Sequence, residues 1–136
     1  LWVVGRKIPQ NIKDMGEESV IFDENAPKET ELIYQKSDIV LAPIRVGGGT
    51  SYKILEAMAS GVPVVTTSLG NAIGAKEDSE IVVAKTSDDF AQSIKRLLED
   101  ERFYETISAN ARKLVEEKYD WKKIVEKLES VYKSAI

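Results

Sequence analysis

The sequence predicts an α/β fold, a parallel sheet between helices followed by a helical tail, and three observations carry that reading. Five short runs, Leu1 to Val4, Val20 to Phe22, Asp38 to Ala42, Val62 to Val65 and Glu80 to Val83, are apolar almost continuously. Strands that do not alternate are buried on both faces, the condition of a parallel sheet covered on each side. The segments between the runs are helical or irregular, so β and α alternate. Three helical patterns then follow one another with no further strand.

Each helix has its own justification. Lys28 to Lys36 is a short candidate between the second and third runs. Thr50 to Ser60 is firmer, opened by Thr50 and Ser51 and closed by Gly61 ahead of Val62 and Pro63. Hydroxyl side chains accept from first-turn N–H groups, and glycine takes the left-handed position after a helix. In the tail, Phe90, Ile94, Leu97 and Leu98 fall on one helical stripe behind Thr86, Ser87, Asp88 and Asp89, which suit a helix start. Asp100 restarts a helix whose stripe is Phe103, Ile107, Ala111, Leu114 and Val115. Asp120 caps a last one with Trp121, Ile124, Val125, Leu128 and Tyr132 on one side. This tail reads as a cap over the sheet or a brace for another domain.

Composition narrows the chemistry. A chain of 136 residues, 43% apolar and 31% charged, has the make-up of one globular domain. At that size roughly 70% of the unfolded surface can be buried, so a core needs no disulfide or structural metal. There is no cysteine and no histidine. Thiol nucleophiles, disulfides, thiolate zinc sites and imidazole bases are thereby excluded, leaving carboxylates, Lys, Tyr and backbone groups. The net charge of −4 is spread evenly, with 7 basic and 9 acidic residues in 1–60 and 12 basic and 14 acidic in 61–136. Neither half has the basic excess that grips nucleic acid. No apolar run approaches the ~20 residues that cross a bilayer, and no signal peptide is expected. The first residue is Leu1 rather than Met and already lies in an apolar run, so the chain is expected to be a piece of something longer.

The most informative stretch runs from Ala42 to Val65 and reads strand, glycine loop, helix, strand. Gly47, Gly48 and Gly49 let backbone approach a ligand, and the helix after them offers unpaired N–H groups and the positive end of its dipole. Phosphate is the ligand that uses both, and the end of a strand in an open α/β sheet is where it binds. A glycine triplet alone is more often a flexible corner. The dinucleotide pattern Gly-x-Gly-x-x-Gly fails at Tyr52, and no Gly-Lys-Ser or Gly-Lys-Thr exists for a P-loop. The helix adds a second signal. Thr50, Lys53 and Glu56 fall within a ~120° arc roughly opposite Ile54, Leu55 and Met58, and span ~9 Å from the first turn. A carboxylate at Glu56, leaning toward the phosphate end, is an acceptor for two sugar hydroxyls. The competing structural reading is a Lys53 to Glu56 surface pair.

These residues resemble a family. Gly47-Gly48-Gly49-Thr50, Lys53 through Ala59 and Gly61 through Val65 look like the donor-binding signature of GT-B fold glycosyltransferases of the retaining, family 4 type. Leu1 to Gly5 is similar to the strand and glycine turn of their second βα unit. Ser37 to Pro43 is similar to the strand entering the signature, and Leu69 to Ile73 to the loop after it. Asp88 to Asp100 and Tyr119-Asp120-Trp121 resemble the closing segments, so the likeness spans the chain. By position it implies that Glu56 holds the ribose hydroxyls, and that Gly48, Gly49 and Thr50 meet the diphosphate and donor sugar. Gly5 and Arg6 would line the same cleft, and Phe22, Asp23 and Glu24 would border the base. One departure stands out: the family often has two glutamates eight apart, and eight before Glu56 is Gly48. Arg45 and Lys53 are candidates to compensate charge.

The resemblance implies a nucleotide-sugar donor (a UDP-, GDP- or ADP-sugar), no metal and no cofactor, and a cytoplasmic site, with room for peripheral membrane association and self-association. It assigns no catalytic residue to this chain. It also implies that the acceptor-binding N-terminal domain and the first βα unit of the donor domain are absent, leaving one partial domain over residues 1–136. The expected architecture is then a Rossmann-like three-layer α/β/α fold with a five-stranded parallel sheet. Leu1 to Val4 closes the gap beside Asp38 to Ala42, giving the order 2-1-3-4-5. Two readings of other classes stay open, a flavodoxin-like or receiver-like binding module and a purely structural module whose glycine loop binds nothing. Receivers cluster acids at strand ends, whereas Asp38 opens its run.

Overall fold

A computed structural model describes residues 1–134. The elements run β1 (Trp2–Val4), α1 (Gln10–Lys13), β2 (Ile21–Asp23), α2 (Thr30–Tyr34), β3 (Val40–Ala42), α3 (Tyr52–Ala59), β4 (Val64–Thr66), β5 (Val82–Val83), α4 (Ser87–Glu99), α5 (Glu101–Lys118) and α6 (Trp121–Ser134). Every strand pairing is parallel, as the apolar runs predict. Four of the strands are shorter than their runs, β2 matches its run in length but is shifted by one residue, and α1 is an element the sequence pattern does not announce.

The core forms around β4, whose three residues are all fully buried. Successive strand side chains point to opposite faces. Val64 accordingly joins one apolar cluster with Ile54, Ala57 and Met58 of α3, while Val65 joins another with Val82 and with Leu97 of α4. Helices thus cover the three-stranded sheet on both sides. Helix α5 belongs to both clusters, contributing Phe103 and Ile107 to the second and Ala111 and Leu114 to the first. The Ser108 hydroxyl donates to the Gly61 carbonyl at 2.6 Å, fastening α5 to the end of α3.

The caps read from the sequence for the three tail helices are made. Thr86 Oγ1 accepts from the Asp89 N–H at 3.1 Å while the Asp89 carboxylate accepts from the Thr86 N–H at 2.9 Å, a reciprocal box that starts α4. Asp100 accepts from the Phe103 N–H at 2.9 Å and opens α5. Leu98, expected on the buried stripe of α4, faces solvent instead; Leu97 alone of that helix is buried.

The expected single sheet in the order 2-1-3-4-5 does not form. β1 bonds to β2 alone, and β3–β4–β5 make a separate three-stranded sheet, so β1 does not close against β3. The physical reason lies in the burial pattern. No residue before Ala42 is buried, and Ile21 on β2 is 64% exposed. With no fully buried residue in the β1–β2 unit to anchor it to the main core, β1 is not drawn to the ~4.8 Å spacing from β3 that strand pairing requires.

Helix α6 keeps the apolar face its sequence predicts, but that face is open. Trp121, Val125, Leu128, Val131 and Tyr132 are all exposed, and the helix has no buried residue. No helix among the described residues is long and apolar enough to cross a membrane.

The division between α5 and α6 predicts opposite outcomes for two truncations. Ile107→Ala, at a fully buried position, should lower stability by about 2–5 kcal/mol in urea unfolding. Leu128→Ala, at a position 53% exposed, should change it by no more than about 0.5 kcal/mol.

Candidate functional site

The glycine loop leaves the sheet at the end of β3, and β4 holds its base in place. The buried Thr66 hydroxyl donates to the Ala42 carbonyl at 2.7 Å, and the Thr67 hydroxyl to the Ile44 carbonyl at 2.5 Å. Beyond Ile44 the chain is exposed through Thr50. Gly47 and Gly49 have φ of 142° and 80°, conformations that side-chain-bearing residues rarely adopt. A Cβ at any of the three glycines would meet open space, so backbone conformation rather than crowding calls for glycine there.

The same geometry moves the start of α3. The helix begins at Tyr52, not at Thr50, because the Gly49 backbone is left-handed and Ser51 is extended at φ −82° and ψ 102°. Thr50 and Ser51 therefore belong to the loop. Ser51 occupies the N-cap position yet makes no capping bond with its side chain. The Ile54 N–H donates to the Ser51 carbonyl at 3.0 Å, so the first-turn N–H groups left for a ligand are those of Tyr52 and Lys53, at the positive end of the helix dipole. They stand directly behind the glycine loop.

Glu56 lies one turn into α3 and is exposed. No ion pair joins it to Lys53, which sets aside the surface-pair reading of those two residues among the described residues. Its partner is instead Tyr34, the last residue of α2, whose hydroxyl donates to Glu56 Oε2 at 3.3 Å. The two border an open cleft of about 370 Å³ between α2, α3 and α5, which Arg112 lines from the far side. Arg45 and Lys53 are exposed near the loop and form no ion pair among the described residues.

The remaining candidates gather on the smaller sheet. The Gly5 N–H donates to the Asp23 carbonyl at 3.1 Å, so these two are neighbours at the ends of β1 and β2, with Arg6 next along the turn. Asp23 spends its carboxylate on the Asn25 N–H at 2.9 Å. Glu24 serves as a structural tie: it pairs with Lys13 and accepts from the Ile8 N–H at 2.8 Å. Its hydrogen bond from Lys13, then that from Ile8, holds its carboxyl below the usual range. The structure therefore makes two groupings, one around the glycine loop and Glu56 and one of Gly5, Arg6 and Asp23, on separate sheets. No group of three or more carboxylates among the described residues is placed to hold a metal ion.

Residues 1–100 match the sequence pattern of the family described as Glycosyl transferases group 1. The chain belongs to that family. It is 37% identical over 107 residues to an uncharacterized glycosyltransferase of Methanocaldococcus jannaschii, covering 76% of this chain and 27% of that protein. To the capsular polysaccharide biosynthesis glycosyltransferase CapM of Staphylococcus aureus it is 36% identical over 102 residues, covering 73% and 27%. The chain thus spans about a quarter of the length of these relatives. Among solved structures, the C-terminal domain of the group 1 glycosyl transferase LpcC from Francisella tularensis superposes with a TM-score of 0.68 at 28% identity, covering 82% of this chain and 60% of that one. Anabaena HepE, solved in complex with UDP, shares the fold with a TM-score of 0.77 at 24% identity, covering 92% and 35%. The α/β architecture of this glycosyltransferase family is therefore present, with its sheet in two parts.

Sequence reasoning misses three contributors to the site. Tyr34 lies there only within the short helix candidate Lys28 to Lys36, and its hydroxyl becomes relevant once α2 packs on α3. Thr66 and Thr67 lie just past the apolar run Val62 to Val65 and receive no reading there; the signal is a pair of hydroxyls at the point where such a strand meets a loop. Burial, reinforced by the charge of Glu56 and then by their hydrogen bond, pushes the Tyr34 phenol up to about 12. Because this folded value lies above the unfolded one of about 10, the protein should lose stability as pH rises between them. In a spectroscopic titration of the five tyrosines, Tyr34 should ionise late, and Glu56→Gln should lower its value by removing the charge.

Proposed function

We propose that this chain is the donor-binding part of a glycosyltransferase that moves a hexosyl unit from a nucleoside diphosphate to an acceptor. The observation that carries this reading is the pairing, on one helix, of an uncapped N-terminus behind a glycine loop with a carboxylate one turn further on. The first suits a diphosphate and the second a ribose diol, at the spacing of a nucleotide lying along α3. Arg45 and Lys53 add positive charge beside the phosphates, and Gly48, Gly49 and Thr50 supply the close backbone approach. Gly5, Arg6 and Asp23 would border the donor from the smaller sheet.

In this reading the chemistry is electrostatic. As the bond from the sugar C1 to the phosphate oxygen breaks, negative charge builds on the departing diphosphate. Fixed N–H dipoles and the two cations stabilise that charge without reorganising. No metal or histidine is required for such a role. The acceptor would be bound by a separate domain, and we propose that the chain alone binds donor without turning it over, in the cytoplasm or at the inner membrane surface. The likeness to HepE, which has been solved with UDP and with UDP-glucose, makes UDP the first nucleotide to try.

Calorimetric titration of UDP, GDP and ADP against the wild-type chain and Glu56→Ala tests the reading. One nucleotide should bind, and the variant should bind it about ten- to a hundredfold more weakly, the value of a hydrogen bond to a charged group. Equal binding by both proteins would remove Glu56 from the ribose. No binding of any nucleotide would favour a structural module.

A further inference from the structure

We propose that Tyr34 is a positioning residue for the nucleotide ribose, holding the Glu56 carboxylate so that its second oxygen faces the sugar hydroxyls. The proposal rests on the donor-binding reading above and extends it to a residue outside the glycine-loop signature. Its geometric basis is a split environment at Tyr34. The ring is half-buried against the apolar cluster that contains Ile54, Met58 and Val64. The hydroxyl emerges at the rim of that cluster and donates to Glu56 Oε2 at 3.3 Å. A rigid ring packed against the core thus carries a donor to a defined point at its rim.

Glu56 needs such a partner. It is exposed, and no ion pair among the described residues restrains it, so its three side-chain torsions would otherwise sample many rotamers. One donated bond occupies Oε2 and leaves Oε1 with both acceptor positions for a vicinal diol. Preorganisation of this kind strengthens binding by removing the ordering step from the binding event. The raised value of the Tyr34 phenol keeps it a donor across the neutral and moderately alkaline range. Because Tyr34 ends α2 and Glu56 sits in the middle of α3, the contact also fixes the spacing of the two helices that wall the cleft.

The test compares ribose recognition rather than affinity alone. UDP and 2′,3′-dideoxy-UDP are titrated against the wild-type chain, Tyr34→Phe, Glu56→Ala and the double variant, with GDP or ADP forms substituted if one of those binds better. Tyr34→Phe keeps the buried ring, so melting temperature serves as the check on folding. The wild type should prefer the ribose form by about tenfold or more, and Tyr34→Phe should reduce that preference by about three- to tenfold. Its affinity for the dideoxy form should be unchanged, and adding Tyr34→Phe to Glu56→Ala should have no further effect. A Tyr34→Phe protein that keeps the full wild-type preference, while Glu56→Ala loses it, overturns the role of Tyr34 and leaves the donor-binding reading standing. A wild-type chain that does not distinguish the two forms overturns the ribose reading and this inference with it.

Discussion

The structure depends on burying β4 on both faces. Val64 and Val65 point in opposite directions and each contributes about 1.5–3 kcal/mol of apolar transfer when fully buried. Each face then recruits its own helix, α3 on one side and α4 on the other, and α5 spans both. Thr66 adds a polar requirement in the same place. Its hydroxyl is buried and must find a partner, and it finds the Ala42 carbonyl at 2.7 Å. The strand that organises the core therefore also fixes where β3 ends and the glycine loop begins.

That coupling explains how an exposed, glycine-rich loop can hold a defined place. None of its side chains is buried, so its position is set at its two ends. One end is tied to β4 through Thr66 and Thr67, and the other continues into α3, whose Ile54, Ala57 and Met58 are locked in the core. Between those anchors, backbone N–H groups are presented by stiff elements. Glu56 is held by a different route, through a half-buried tyrosine ring packed against the core. The groups proposed above to meet the donor owe their placement to apolar packing.

Much of this was legible in the sequence. The unbroken apolar runs gave parallel strands because burial on both faces leaves no reason to alternate, and Thr86, Asp100 and Gly61 gave helix limits because capping is local chemistry. The glycine loop and Glu56 were legible for the same reason, since they lie on one continuous segment of chain. Three things were not. The split between β1–β2 and β3–β4–β5 depends on which apolar surfaces meet, and runs of similar composition conceal that Val64 is fully buried while Ile21 is exposed. The Tyr34 contact joins residues on different helices and needs their relative placement. The later start of α3 depends on the left-handed backbone at Gly49, which composition permits but does not dictate.

The lack of any buried residue before Ala42 has a consequence for motion. Segments with little buried apolar surface open at a free energy far below that of global unfolding, and they open as units. The β1–α1–β2 crossover is such a unit, attached to a firmer three-stranded body. Its amides are accordingly set to exchange with solvent long before those of β4. Gly5, Arg6 and Asp23 then belong to the yielding part of the molecule, while the glycine loop and Glu56 adjoin the firm part.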